Sequence, residues 1–380
     1  MSQASETPAA TDPGLNVPLW QDKLGGWIEK HPRLWLRLGN WESSLLKESL
    51  QQVTIERPLY VTGLARSGST ILLELLAQHS EVVTHRYRDF PAVPIPWAWN
   101  WFVERAGGTE RPPEERAHKD GIAVTPESPE AFEEPLWATF FPQAHDPRYS
   151  AVLDSDTSHP EFERFYLDHL RKLLLLRKGR RYLAKGNYNV TRLGYLLKLF
   201  PDARFVIPVR DPLWHVASLM KQHQLFCREE QRNPRVLRHM RRSGHFEFGL
   251  DRRVINTGDP RVELISSLWS EGREVEGWAH YWAMIYDHVA EVLEVDRALR
   301  QATLVVRYED LCEDPEGIFT CILEHCALTP EELPALATQR IRHPSYYRPS
   351  FTQEEEAMIR RITAPSARRF GYQAQLQHVL

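Results

Sequence analysis

The sequence has little cysteine, no long apolar run and no strong net charge. Four cysteines among 380 residues are too few for a disulfide-stapled scaffold, and we expect them to be reduced packing residues. The longest run of leucines spans only residues 173–176, far short of the roughly 20 residues that a membrane-spanning helix needs. Lys plus Arg number 47 against 51 for Asp plus Glu, a formal net charge of −4, so no nucleic-acid partner is predicted.

The N-terminal segment, MSQASETPAATDPGLN, lacks the basic start and apolar core of a secretory signal peptide. We therefore expect a cytoplasmic protein in which residues 1–18 form a flexible leader. Residues 19–380 are predicted to form one α/β domain with insertions near 90–150 and 225–270. Residues 19–55 have amphipathic helical spacing. The apolar positions of this segment are Trp27, Leu34, Leu36 and Trp41.

Short apolar runs alternate with segments of helical spacing along the rest of the chain. Strands separated by helices, each apolar throughout, predict a central mainly parallel sheet covered on both faces, a three-layer sandwich with helical insertions. The predicted strands are 58–63, 181–184, 204–209 and 303–307. The predicted helices begin near residues 71, 191, 212 and 315.

The segment 63–70, Gly-Leu-Ala-Arg-Ser-Gly-Ser-Thr, lies between a predicted strand and a predicted helix. Gly63 and Gly68 have the spacing of a phosphate-binding loop, in which glycines allow the backbone N–H groups to surround an anion. Arg66 supplies a cation, whereas nucleoside-triphosphate enzymes have lysine at the position of Ser69. The less favoured interpretation is a tight turn with a solvent-facing arginine. Further candidate anion ligands are Ser67, Ser69 and Thr70.

A second segment places Arg210 at the carboxyl end of a predicted strand, the edge at which open parallel sheets bind ligands. Ser218 follows about two helical turns later, so both side chains could reach one anion. Taken alone, the segment also fits an Arg210–Asp211 salt bridge and a surface serine.

Together, the two segments resemble the family of 3′-phosphoadenosine 5′-phosphosulfate (PAPS) dependent sulfotransferases. The resemblance implies a P-loop-like fold, with Arg66 to Thr70 binding the 5′-phosphate and Arg210 and Ser218 the 3′-phosphate. It extends over residues 57–372 and is closest to the bacterial and tyrosylprotein branch, whose loop begins with arginine. No Arg-Lys-Gly cofactor clamp lies near the C-terminus. Supporting matches are Arg307 to Leu311, Asp314-Pro315 and Arg369 to Tyr372.

The predicted activity is transfer of the PAPS sulfuryl group to a hydroxyl of a small molecule or glycan: a carbohydrate, glycolipid or secondary metabolite. Arg66 would stabilise charge on the leaving phosphate, and no metal is expected. One alternative is a P-loop kinase using ATP and magnesium, which the absence of a lysine at Ser69 disfavours. Another is a non-catalytic anion-binding scaffold.

The acceptor hydroxyl needs a general base. Asp89 is the only carboxylate in residues 84–91, and Arg86 and Arg88 beside it would keep it ionised. A structural Arg–Asp pair explains Asp89 equally well. His85 and His118, the latter near Asp120, rank below it. Lys185 follows a predicted strand and is a candidate to steady the sulfuryl oxygens, with a simple loop lysine as the alternative.

Two other segments are candidates to contact the acceptor. Trp97, Trp99 and Trp101 alternate after a proline-rich stretch and could form aromatic walls or a packed cap. Residues 228–253 are rich in arginine and predict a mobile insertion, either a lid or a solvated charged face.

Overall fold

A computed structural model of the chain describes residue 15 and residues 17–107, 113–115, 123–343 and 349–372. Most of the predicted leader, and the candidate base His118, lie outside these residues. The described strands are β1 (Leu59–Val61), β2 (Val82–Val83), β3 (Glu114–Glu115), β4 (Ala123–Val124), β5 (Arg181–Lys185), β6 (Arg204–Val209) and β7 (Thr303–Arg307).

Helices surround these strands. Those in the first half of the described chain are α1 (Leu19–Lys30), α2 (Pro32–Leu45), α3 (Lys47–Gln51), α4 (Ser69–Leu76), α5 (Pro96–Arg105), α6 (Glu134–Phe140), α7 (Pro160–Arg177) and α8 (Leu193–Leu199). Those in the second half are α9 (Pro212–Arg232), α10 (Pro234–Ser243), α11 (Arg261–Ser270), α12 (Glu274–Val295), α13 (Arg297–Ala302), α14 (Tyr308–Glu313), α15 (Pro315–His325), α16 (Leu333–Arg340) and α17 (Gln353–Arg369).

Five strands form the central sheet in the order β2-β5-β1-β6-β7, and every neighbouring pair is parallel. The register places Val61 beside both Lys185 and Val206, and Val209 beside Arg307. The segments that follow β1, β5, β6 and β7 therefore leave the sheet at one edge. The separate hairpin of β3 and β4 is antiparallel.

The side chains of the central strands are buried on both faces of the sheet. Tyr60 and Phe205 pack into one apolar core with residues of α7 and α12. Val61 and Val206 pack into a second core with residues of α4, α15 and α16. Strands buried on both sides explain the continuous apolar runs of the sequence, and the predicted three-layer α/β architecture is confirmed.

Two local predictions are corrected, the irregular arginine-rich insertion and the single aromatic wall. The arginine-rich stretch is largely regular, since it contains the end of α9 and all of α10, and Arg238 and Arg242 both pair with Asp22 of α1 at 2.7 Å. Trp97 to Trp101 lie in α5, where alternate residues point in different directions. Trp101 is exposed and does not share one wall with the half-buried Trp99. No helix among the described residues is long and apolar enough to cross a membrane.

Candidate functional site

The loop between β1 and α4 has a backbone conformation that requires glycine. Gly63 and Gly68 have φ angles of +147° and +105°. A Cβ atom on Gly68 would lie 2.5 Å from Cδ2 of Tyr308, far inside van der Waals contact. α4 begins at Ser69, so the positive end of its dipole faces the loop. The predicted hydroxyl residues Ser67 and Ser69 are buried in this turn and Thr70 is half-buried.

The two predicted anion-binding segments meet in the fold. Arg66 Nε donates a hydrogen bond to Ser218 Oγ at 3.3 Å, and Arg210 Nη1 donates to the Arg66 carbonyl oxygen at 3.4 Å. Arg210 is buried and lies 5.2 Å from the ring centre of Tyr308. The Asp211 carboxylate caps α9 instead of pairing with Arg210. The two arginine-bearing segments are thus in direct contact, an arrangement suited to an anion carrying more than one charge.

His215, which lies between Arg210 and Ser218 in the sequence, supports the glycine loop. Its Nδ1 accepts a hydrogen bond from Trp282 Nε1 at 3.1 Å, so Nε2 carries the proton and donates to the Ala65 carbonyl oxygen at 2.8 Å. Burial lowers the pKa of His215 to about 3, so the imidazole is neutral at physiological pH. This support of the glycine loop was not predicted from the sequence, although His215 lies inside the second motif.

The end of β6, which carries Arg210, is also held in place. The Tyr372 hydroxyl, which has one hydrogen to donate, lies 2.5 Å from Glu309 Oε2 and 3.0 Å from the Val209 carbonyl oxygen. The other oxygen of Glu309 accepts from the backbone N–H of Asp211 at 3.0 Å. Two of the supporting sequence matches therefore contribute residues that fix the arginine-bearing turn.

Lys185 ends β5 next to Val61, and Thr62 Oγ1 donates to the following Gly186 carbonyl oxygen at 2.7 Å. The β5 end is thus joined to the start of the glycine loop. Both Lys185 and Asn187, the second residue after it, are buried.

Asn187 leads to a pair of titratable residues that the sequence analysis missed. Asn187 Nδ2 donates to Glu247 Oε1 at 2.7 Å, and Glu247 Oε2 lies 3.5 Å from His245 Nδ1. Burial opposes protonation of His245, but the hydrogen bond and charge of Glu247 outweigh it, and the pKa of the imidazole is raised. The nearby Lys185 charge acts in the opposite direction. Only the short His-Phe-Glu spacing could have indicated this pair.

Asp89 occupies a buried ion pair. Its two carboxylate oxygens accept from Arg177 Nη2 at 2.6 and 2.7 Å, and Oδ2 also accepts from the Arg86 backbone N–H at 2.9 Å. Although burial opposes ionisation, the charge of Arg177 and the hydrogen bond from His85 hold the pKa of Asp89 well below its usual range. A carboxylate occupied on both oxygens and so weakly basic fits the structural alternative better than a general base.

The side chains expected to keep Asp89 ionised pair elsewhere. Arg88 Nη1 lies 2.9 Å from a Glu127 oxygen, and Arg86 contacts the other oxygen of the same carboxylate. The partner of Asp89 is Arg177, which is distant in sequence and ends α7. The expectation that the flanking arginines provide the pairing is therefore wrong.

Comparison with known proteins identifies similar sequences and a similar fold. A family model described as "Sulfotransferase family" matches residues 58–246, which contain both anion-binding segments. The omega-hydroxy-beta-dihydromenaquinone-9 sulfotransferases Stf3 of Mycobacterium tuberculosis and Mycobacterium bovis are each 24% identical over 352 residues, 88% of this chain and 80% of theirs. The crystal structure of sulfotransferase STF1 from Mycobacterium tuberculosis has 17% identity and a TM-score of 0.51, covering 93% of this chain and 88% of that one, which shows the shared fold.

Proposed function

Because this chain belongs to the sulfotransferase family, we propose that it transfers the sulfuryl group of PAPS to a hydroxyl group of a small lipid-like acceptor. The observation that carries the proposal is the contact between Arg66 and Ser218. It joins a glycine loop suited to one phosphate with an arginine segment suited to another. A nucleotide with phosphates at both its 5′ and 3′ positions matches this pair of sites.

The proposed reaction is an in-line displacement. The acceptor oxygen bonds to the sulfur of PAPS while the bond from sulfur to the 5′-phosphate oxygen breaks, and the acceptor proton passes to a base. Arg66, the loop N–H groups and the start of α4 would stabilise the charge that develops on the leaving phosphate. Lys185, at the neighbouring strand end, is proposed to hold the sulfuryl oxygens.

For the base we propose His245 in place of Asp89. Glu247 faces Nδ1 of the imidazole, which favours the tautomer with a basic Nε2. Asn187 links Glu247 to the segment directly after Lys185, so the pair lies beside the edge of the sheet where the nucleotide would bind. The raised pKa of His245 also suits proton transfer near neutral pH.

The acceptor class rests on the named relatives. The relatives are sulfotransferases of an omega-hydroxylated menaquinone derivative, in which a hydroxyl is attached to a lipid-like molecule. By this likeness we propose a hydroxyl on a lipid-like molecule as the acceptor, in preference to a free sugar.

Calorimetry with adenosine 3′,5′-bisphosphate tests the nucleotide assignment. We expect binding without added metal, and Arg210→Ala should weaken it by about 10- to 100-fold because a charged hydrogen bond to phosphate is lost. Arg300→Ala, an exposed arginine of α13, is the matched control and should bind normally. Tighter binding of ATP with magnesium than of the bisphosphate would instead support the kinase alternative.

Turnover is tested separately with PAPS and a panel of hydroxyl compounds, by mass spectrometry of sulfated products. We expect long-chain primary alcohols and hydroxylated quinones to be sulfated in preference to free sugars. Preferential sulfation of sugars would overturn the acceptor assignment while leaving the nucleotide assignment standing.

A further inference from the structure

The first two helices carry a row of exposed residues at intervals of three or four positions. Within each helix the spacing is that of one helix face, and the two helices are separated by a break at His31. We call this row the α1–α2 stripe. Its eight members, all exposed, are Trp20, Lys23, Trp27, Lys30, Leu34, Arg37, Trp41 and Leu45.

These exposed aromatic and aliphatic side chains are not the apolar face of helices turned towards the core. Trp41 and Leu45 are 60% and 66% exposed, whereas Trp35 of α2 is buried and meets Trp27 edge-on with ring centres 5.3 Å apart. Gly39, also in α2, lies so close to Phe165 that a Cβ atom would approach its ring within 2.8 Å. α2 therefore packs against the protein through Trp35 and Gly39 and still exposes Trp41 and Leu45.

The charged members of the stripe are all basic, and the acidic residues of the two helices, one of which is exposed, all pair with basic side chains. No member of the stripe is acidic. Asp22 of α1 pairs with Arg238 and Arg242 of α10, and Glu42 of α2 is buried against Lys172 at 2.9 Å. Acidic groups of these helices are thus neutralised by the rest of the protein, while lysine and arginine of the stripe face solvent.

Large amphipathic rings interspersed with flexible cations suit one kind of surface. Tryptophan favours the boundary between lipid headgroups and acyl chains, and lysine and arginine reach anionic headgroups while their stems cover apolar surface. We propose that the α1–α2 stripe docks onto the surface of a bilayer containing anionic phospholipids. This goes beyond the proposed function, since the nucleotide site and the chemistry do not require it.

Contacts link the helices that carry the stripe to the candidate site. α1 is tied through Asp22 to α10, which ends at Ser243, two residues before the proposed base His245. In α2, Glu42 Oε1 accepts a hydrogen bond from the backbone N–H of Ala98 in α5 at 2.7 Å. A docked stripe is therefore joined through α10 to the segment that carries the proposed base, and would hold that part of the chain near the lipid phase from which an apolar acceptor would come.

Vesicle co-sedimentation of the full chain tests the proposal. We expect the protein to sediment with vesicles of phosphatidylcholine and phosphatidylglycerol and to remain in the supernatant with phosphatidylcholine alone or at high salt. Trp41→Ser with Leu45→Ser, and separately Lys30→Glu with Arg37→Glu, should each weaken binding to anionic vesicles by about tenfold or more.

The matched controls lie elsewhere on the surface. Val295→Ser with Leu250→Ser replaces two exposed apolar residues, and Arg297→Glu with Arg300→Glu reverses two exposed charges. We expect both controls to bind vesicles like the unmodified protein. Calorimetry with adenosine 3′,5′-bisphosphate on every variant reports on the nucleotide site separately from vesicle binding. Loss of vesicle binding with normal nucleotide binding, or the reverse, therefore tells the failure of one proposal from the failure of the other.

Three results would overturn the docking proposal. The first is a failure of the unmodified chain to sediment with anionic vesicles, and the second is equal sedimentation of the stripe and control variants. The third is sedimentation equilibrium showing a dimer that Trp41→Ser with Leu45→Ser dissociates, because the stripe would then be covered by a second copy of the chain.

Discussion

Arg66 and Ser218 are 152 positions apart in the sequence, yet Arg66 Nε lies 3.3 Å from Ser218 Oγ. The contact forms because β1 and β6 are adjacent and parallel, so the loop after one strand and the helix after the other start at the same edge. Any anion bound by the glycine loop is therefore also within reach of the α9 side of the site.

Removal of the Arg66 side chain tests its role in charge stabilisation. We expect Arg66→Ala to lower kcat about 10²- to 10³-fold at saturating PAPS, because a preorganised cation is lost where the leaving phosphate gains charge. Steady-state kinetics measure the effect. Arg66→Lys is the comparison, and it should recover part of the rate; an unchanged kcat in Arg66→Ala would contradict the assignment.

The steric requirement of the glycine loop gives a second prediction. Gly68→Ala should weaken binding of adenosine 3′,5′-bisphosphate at least about tenfold, because its Cβ would collide with Tyr308 and displace the loop. Gly107→Ala also places alanine at a positive φ, of +68°, but has no atom within 4 Å of the added carbon. Equal binding by the two variants would show that loop shape is unimportant.

The pH dependence of turnover tests His245. A histidine base acts in its neutral form, and its pKa is raised, so kcat should increase with pH and level off above a midpoint higher than the usual 6.5. Glu247→Gln removes the charge that raises the pKa and should shift the midpoint to lower pH. His245→Gln should lower kcat about 10²- to 10⁴-fold. A midpoint that does not respond to Glu247→Gln would exclude the pair from proton transfer.

Asp89 is predicted to matter for stability. Asp89→Asn should lower the free energy of unfolding by about 3–5 kcal/mol near neutral pH, since the buried charge of Arg177 loses its partner. Asp168→Asn breaks the more exposed pair with Arg171 on the same helix, and should cost less than about 1 kcal/mol. Urea denaturation measures both. Full stability with abolished turnover in Asp89→Asn would restore Asp89 as the base.

The same ion pair has a defined pH dependence. The pKa of Asp89 is lower in the folded protein than the ordinary value of 3.8, so the unfolded chain takes up its proton first as the pH falls. The stabilisation is present above about pH 4 and is lost at more acid pH. Asp89→Asn should flatten this part of the stability profile, which urea midpoints between pH 3 and 6 would detect. A profile unchanged by the substitution would contradict this explanation.

The sequence predicted features that depend on neighbouring residues. Continuous apolar runs identified β6 and β7 with their observed ends, and Asp314-Pro315 marked the start of α15. The glycine spacing and the strand-end arginine led to two loops that the sheet brings together. These signals are local because backbone geometry and burial act on consecutive residues.

Features set by distant partners were not predicted. Nothing around Asp89 indicates Arg177, which reaches it from the end of α7, and the arginines of α10 looked unpaired until α1 supplied Asp22. Trp41 has the spacing of a buried helix face but is exposed. Periodicity shows that a face exists and leaves open what covers it.

Tyr372 lies after α17, at the far end of the described chain, and its hydroxyl reaches the Val209 carbonyl oxygen next to Arg210. Packing of the C-terminal segment and ordering of the turn that carries Arg210 are therefore energetically coupled. By thermodynamic reciprocity, a ligand that favours the ordered turn must tighten the C-terminal segment by the same amount. Conditions that loosen the C-terminal segment should therefore weaken ligand binding at the turn that carries Arg210.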